Sequence, residues 1–164
     1  MCVHRTRKAP WYLAWLCLLY CAVVAAEDAD AILGYWQTQD EEGHADAIVE
    51  IIHAEHGYEG YVRWLRFTVY PEGDRMAGQS IIDRDNPDVS LNTRLVDGMR
   101  VLWGLRYENK SWRGGHIYSV RSGKTYKANA SLKSADELTI RGYIGVPMLG
   151  RSVHWMRVAE LPSD

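Results

Sequence analysis

The residues that could do chemistry in this 164-residue chain are a run of acids, six histidines and scattered serines, so their spacing has to be weighed first. Asp83-Arg84-Asp85-Asn86-Pro87-Asp88 has the density of oxygen donors that calcium takes. A helix–loop–helix calcium site, however, needs Gly at its sixth place and Glu at its twelfth, where this chain has Asp88 and Arg94. The same Asp and Asn side chains serve equally well as turn caps, accepting from nearby backbone N–H groups. His44, His53 and His56, with Asp46 and Glu50, are metal-ligand types, but no His-Glu-x-x-His spacing occurs and His53 and His56 flank a predicted hairpin turn. Ser111, His116 and His154 come with no Gly-x-Ser-x-Gly elbow. Neither a glycine-rich phosphate loop nor a dinucleotide fingerprint is present. A carboxyl pair such as Asp83 with Asp136 in one cavity would suit hydrolysis of glycans or lipids. As it stands, the sequence predicts no enzyme, no metal and no cofactor.

The elements that must position these groups begin after an export segment. Met1 to Pro10 carries Arg5, Arg7 and Lys8 without an acid, and Trp11 to Val24 is an uncharged apolar run. Ala25-Ala26 then meets Glu27-Asp28, the small-residue break at which a signal peptide is cut. The run falls short of the roughly 20 apolar residues of a spanning helix. Residues 1–26 are therefore expected to be a signal helix and 27–164 a single domain, periplasmic or secreted, with no stable membrane span after cleavage. Tyr20 and Leu16, not small residues, precede Cys21 and Cys17, which disfavours a lipid-modification box. All three cysteines (Cys2, Cys17, Cys21) lie in this leader, so no thiol remains for a disulfide, a metal or a nucleophile. Cleavage removes three of the 19 Lys and Arg and none of the 21 Asp and Glu, leaving 16 against 21, a net of −5. That balance argues against nucleic acid as a partner and gives no help toward an anionic membrane.

The remainder reads as short strands between Gly, Pro, Asp and Asn turns. Strand-like runs cover 34–38, 46–53, 58–70, 99–107, 115–120, 124–132, 137–143 and 152–158. One long polar loop, 74–97, interrupts them. The cleanest alternation puts Met99, Val101, Trp103, Leu105 and Tyr107 on one face, with Arg100 and Arg106 on the other. Eight strands joined mostly by close turns predict an all-β, eight-stranded antiparallel barrel, since closure removes unpaired edges.

Trp112, His116, Tyr118, Tyr126, Arg141, Tyr143 and His154 stand on neighbouring strands, and several could point into one cavity as directing groups for a small amphipathic ligand. The alternative is that they pair with each other and with backbone to brace the barrel. Asn109-Lys110-Ser111 and Asn129-Ala130-Ser131 are glycosylation sequons that matter only in a eukaryotic secretory route.

Gly34-Tyr35-Trp36 at the start and Trp155-Met156-Arg157 at the end resemble the lipocalin-like (calycin) superfamily. That resemblance implies that Gly34, Trp36 and Arg157 close one end of the barrel, an Arg guanidinium stacking on an indole face. A narrower resemblance rests on Asp83-x-x-Asn86-Pro87, Trp112-Arg113-Gly114-Gly115-His116-Ile117-Tyr118, Ser122-Gly123-Lys124-Thr125-Tyr126, Arg141-Gly142-Tyr143-Ile144-Gly145, Leu149-Gly150-Arg151 and Trp155-x-Arg157 in that order. This succession is similar to the exported bacterial family called domain of unknown function 2147. The family usually has Asp-Pro where this chain reads Ser119-Val120, so no acid is available at 119. The resemblance implies a periplasmic location and no assigned activity. Two functions are carried forward. One is an envelope protein holding a small amphipathic or hydrophobic ligand. The other is an envelope assembly factor with a filled barrel, meeting a protein partner through the 74–97 loop.

Overall fold

In the computed structural model the described residues are 28–39 and 42–163, so the expected leader with its cysteines lies outside them. The chain divides into Met1–Ala31 and Ile32–Asp164. Of the first unit only residues 28–31 are described, and residues 28–30 form one helical turn.

The second unit is a closed antiparallel barrel of eight strands in sequence order: β1 (Gly34–Gln39), β2 (Ala45–Ala54), β3 (Gly57–Leu65), β4 (Arg100–Glu108), β5 (Ser111–Ser119), β6 (Lys124–Ser134), β7 (Glu137–Tyr143) and β8 (Arg151–Val158). Each strand pairs with the next, and β1 pairs with β8 through Tyr35↔Val158, Trp36↔Arg157 and Gln37↔Met156. This is the all-β, eight-stranded antiparallel barrel that the strand spacing predicts, with the lipocalin-like architecture that the resemblance at Gly34-Tyr35-Trp36 and Arg157 implies. Among the described residues no helix is long and apolar enough to cross a membrane.

An up-and-down barrel sorts its connections to two ends. The β2–β3, β4–β5 and β6–β7 turns lie at one end, with the start of β1 and the finish of β8. The β1–β2, β3–β4, β5–β6 and β7–β8 connections lie at the other. Asn109 (φ 50) and Lys110 (φ 61) make the β4–β5 turn from two left-handed residues, the geometry whose twist matches a tight hairpin. Buried Trp36, Leu105, Trp112 and Leu138 lie toward the first end, and buried Leu102 and Ile140 stand between it and the other.

Two bulges overturn the expected faces of β4. Tyr61 pairs with Arg100 and Gly60 with Leu102, so β4 holds an extra residue there and Val101 and Leu102 are both buried. Gly104 (φ +72) supplies a second irregularity, after which Leu105 returns to the core. Trp103 is thereby put on the outer row, where it stacks on His116 at 5.7 Å between ring centroids. β3 also ends at Leu65 rather than Tyr70, and β5 starts at Ser111 rather than Gly115.

Candidate functional site

At the first end Trp36 is fully buried, and its Nε1 donates to the Ile32 carbonyl at 2.8 Å. The Arg157 guanidinium lies 4.1 Å from the Trp36 ring centroid. Its Nη1 donates to the Leu33 carbonyl at 2.7 Å, and its Nε to Ala135 at 2.8 Å. One cation thus covers the indole and ties together the entry to β1 and the β6–β7 turn. Burial is the main reason its pKa is held below the ordinary Arg value. A side chain at Gly34 would stand 3.2 Å from Arg157 Nη1, so a small residue there gives the guanidinium room.

The opposite end is open. It holds a cavity of about 830 Å³, inside the range of roughly 300–1,000 Å³ typical of small-molecule sites. Val49, Val62, Val101, Ile117, Val153 and Trp155 make its apolar wall, and Thr38, Asp46 and Ser119 add polar groups. Tyr70, Ile81, Ile82, Arg84 and Asp85 reach its mouth from the connection between β3 and β4. Arg84 is fixed there by two 2.9 Å bonds to the Asp74 carboxylate and lies 4.5 Å from the Tyr70 ring centroid. The Met76 amide first, and Arg84 next, hold the Asp74 carboxyl below its usual range.

A buried acid fastens that connection to the barrel. Asp83 is 0% exposed. Its Oδ1 accepts from the Tyr118 hydroxyl at 2.6 Å, and its Oδ2 accepts from Asn86 at 2.7 Å and from Arg94 Nη2 and Nε at 2.8 and 3.0 Å. Backbone bonds from Asp83 N to Arg94 O and from Asn86 N to Asp83 O close the loop on itself. Burial, and then the bond to Asp83, push the Tyr118 phenol up to about 12. Gly123 (φ +62) in the β5–β6 turn lies against the Asp85 carbonyl, and a Cβ there would collide with it. The Asp-x-x-Asn-Pro and Ser-Gly-Lys-Thr-Tyr motifs, far apart in sequence, are therefore two halves of one joint.

Of the seven residues expected around a pocket, Tyr118 and His154 border this cavity; the other five do not line it. Strand parity turns His116, Arg141 and Tyr143 away from the cavity, whereas Trp112 and Tyr126 stand on the inner row without lining it. In β5 and β6, Ile117 pairs with Tyr126, and both stand beside Gly142 on the inner row. Tyr118 falls on the alternate row, opposite Thr125, and is covered because Asp83 and Arg94 fold over it. Trp112 is core at the filled end, its ring 5.1 Å from Tyr107. His116 stacks on Trp103 outside. The His154 ring turns outward, with Nδ1 3.1 Å from Glu137 and 3.3 Å from Thr139 Oγ1. Tyr143 and Arg141 alternate with the inward Gly142 and Ile140. Arg141 spends its donors on Pro147 O (2.6 Å), Ser152 Oγ (3.0 Å) and Met148 O (3.1 Å). In place of Arg141 and Tyr143, the cavity takes its polar groups from Thr38, Asp46, Ser119, Arg84 and Asp85.

The other constellations separate. Asp83 stands at the open end and Asp136 in the β6–β7 turn at the filled one, so the two carboxylates share no cavity. Among the described residues no group of three or more His, Cys, Asp or Glu side chains is placed to hold a metal. Sequence reasoning missed Arg94, the third partner of Asp83; its only sequence signal is a lone cation after the acidic run, which alternation cannot rank.

Residues 34–157, the whole barrel from the first glycine of β1 to the clamping Arg157, match the family model described as "Uncharacterized protein conserved in bacteria (DUF2147)". The chain belongs to the DUF2147 family. Its barrel is similar to the solved structure titled "Protein HP1028 from the human pathogen Helicobacter pylori belongs to the lipocalin family", with a TM-score of 0.64 and 23% identity over 79% of this chain and 84% of that one. At that identity the likeness concerns the fold. No curated protein matches the sequence.

Proposed function

We propose that this DUF2147 member is a non-catalytic binding protein of the bacterial cell envelope that holds one small amphipathic or hydrophobic molecule in its barrel. The observation that carries the reading is the cavity of about 830 Å³, open at one end and walled by apolar side chains that include the buried Val49, Val62 and Trp155. An apolar tail would lie against Val49, Val62, Ile117 and Trp155. Its polar head would meet Thr38, Asp46 and Ser119 or the Arg84–Asp85 rim. The basic, then apolar, leader supports export, and the lipocalin-like barrel suits a ligand of this kind.

The test is native mass spectrometry of the protein purified without detergent, beside Ser119→Trp, which puts an indole into the cavity from a half-buried position. A bound mass that disappears on denaturation and is absent from Ser119→Trp supports the reading. A Ser119→Trp protein that folds and still carries the same ligand would overturn it.

A further inference from the structure

The β7–β8 connection exposes its apolar residues. Ile144, Val146, Met148 and Leu149 are all well exposed, Met148 by 87% and Leu149 by 81%. The loop is nonetheless shaped: Pro147–Leu149 form a 3-10 turn, and Gly150 N donates to Pro147 O at 3.0 Å. Arg141 holds the Pro147 and Met148 carbonyls from below. An apolar tip kept in one conformation at the rim of an open cavity is built to meet something.

The charge around it says what. The overall balance conceals a division of the barrel. Residues 28–108, reaching to the end of β4, carry 16 Asp and Glu against seven Arg. Residues 109–159, covering β5 to β8, carry nine Lys and Arg against only Asp136 and Glu137. Those two acids sit in and beside the β6–β7 turn, at the filled end. The open end of this half therefore has Arg121, Lys124, Lys127, Arg141 and Arg151 around the apolar tip and no acid of its own. Acids from the other half also stand at this end, Asp46 and Asp85 on the cavity wall among them. Arg141 and Arg151 bracket the tip in sequence, and Tyr143 adds an amphipathic ring beside it.

We propose that the β7–β8 loop is a docking element for an anionic lipid surface: Ile144, Val146, Met148 and Leu149 enter the boundary of the acyl region while the surrounding cations meet the headgroups. Apolar side chains framed by Lys and Arg are the combination that binds an interface through area and charge together. The docking stands on its own observations. If the ligand reading also holds, the cavity mouth faces the leaflet from which an amphipathic molecule would be loaded.

The experiment is cosedimentation of the purified protein with vesicles of phosphatidylcholine, with and without a third of phosphatidylglycerol, at low and high salt. Binding is expected to the anionic vesicles only, weakening with salt. Met148→Asp with Leu149→Asp, both at exposed positions, should lower partitioning at least about tenfold. Lys124→Ser and Lys127→Ser should each lower it roughly fivefold. Thermal unfolding should be unchanged in all of these, and Ser119→Trp should still bind vesicles, which separates this proposal from the ligand reading. No binding to anionic vesicles, or binding that survives both sets of substitutions, overturns the proposal. So does a wild-type dimer, absent from the Met148→Asp, Leu149→Asp protein, that leaves vesicles alone; the tip would then meet a second copy of this chain.

Discussion

The Tyr118–Asp83 bond makes stability depend on alkaline pH in a calculable way. Tyr118 is 8% exposed, and its phenol is pushed up to about 12, by burial first and by the bond to Asp83 second. In the unfolded chain the same phenol titrates near ~10. The folded state therefore keeps the proton where the unfolded state has lost it. The contribution is complete below the unfolded value and disappears as pH rises through the folded one. Two units correspond to roughly 2–3 kcal/mol, close to the worth of a hydrogen bond to a buried charge. Tyr118→Phe keeps the ring over which Arg94 lies and removes only the proton and its bond. It should lose about 2 kcal/mol at neutral pH and then be insensitive, at this site, to the alkaline range. The assay is urea unfolding of both proteins at a series of pH values up to ~12, read as the difference between their unfolding free energies. Other groups titrate in the same range, among them Tyr61, whose phenol is raised by its bond to Glu59, but they act in both proteins and cancel in the difference. The difference should shrink toward zero across that window. A difference that stays constant would refute the reasoning, because the hydroxyl would then not be giving its proton to a buried carboxylate.

Arg157→Lys should destabilise the barrel by about 1–3 kcal/mol in a denaturant titration, since an ammonium cannot cover Trp36 and donate to both Leu33 and Ala135. Gly123→Ala places a Cβ against the Asp85 carbonyl at a left-handed position, and should cost about 1–3 kcal/mol. Hydrogen exchange of the Asp83, Asn86 and Arg94 amides should quicken in Gly123→Ala before that of β2 or β7 does. Uniform quickening everywhere would show that the joint is not a separate unit.

Period-two patterning, broken by turn residues, was enough to read eight strands and a closed sheet from the sequence, because each strand buries one side and all connections but the β3–β4 one are short. The β4 faces were not legible. Its alternation runs cleanly from Met99 to Tyr107, but the bulges at Val101–Leu102 and Gly104 shift the row twice, and a bulge is set by the partner strand as much as by its own residues. The end of β3 was overrun because Phe67, Val69 and Tyr70 continue the apolar pattern into the connection. There Phe67 and Val69 are exposed, and only Tyr70 is buried. For the site, residue type was legible and direction was not. Trp112, His116, Arg141 and Tyr143 look alike as candidates until the register assigns them to the core or to the outer row. Asp83 reads as one more turn acid until Arg94 and Tyr118 arrive from eleven and 35 residues away.

The seam between β1 and β8 has a consequence for how the protein reaches its final form. Seven of the eight pairings join strands that follow one another, and all of these except β3–β4 can zip from a short connection. The eighth joins the two ends of the domain through three residue pairs, and the Arg157–Leu33 bond beside it spans 124 positions. Ordering so long a loop is entropically costly until the intervening strands are in place. Closure is thus expected to come last in folding, and the clamp at Arg157 turns a curled ribbon into a ring, coupling strands that would otherwise fray one hairpin at a time.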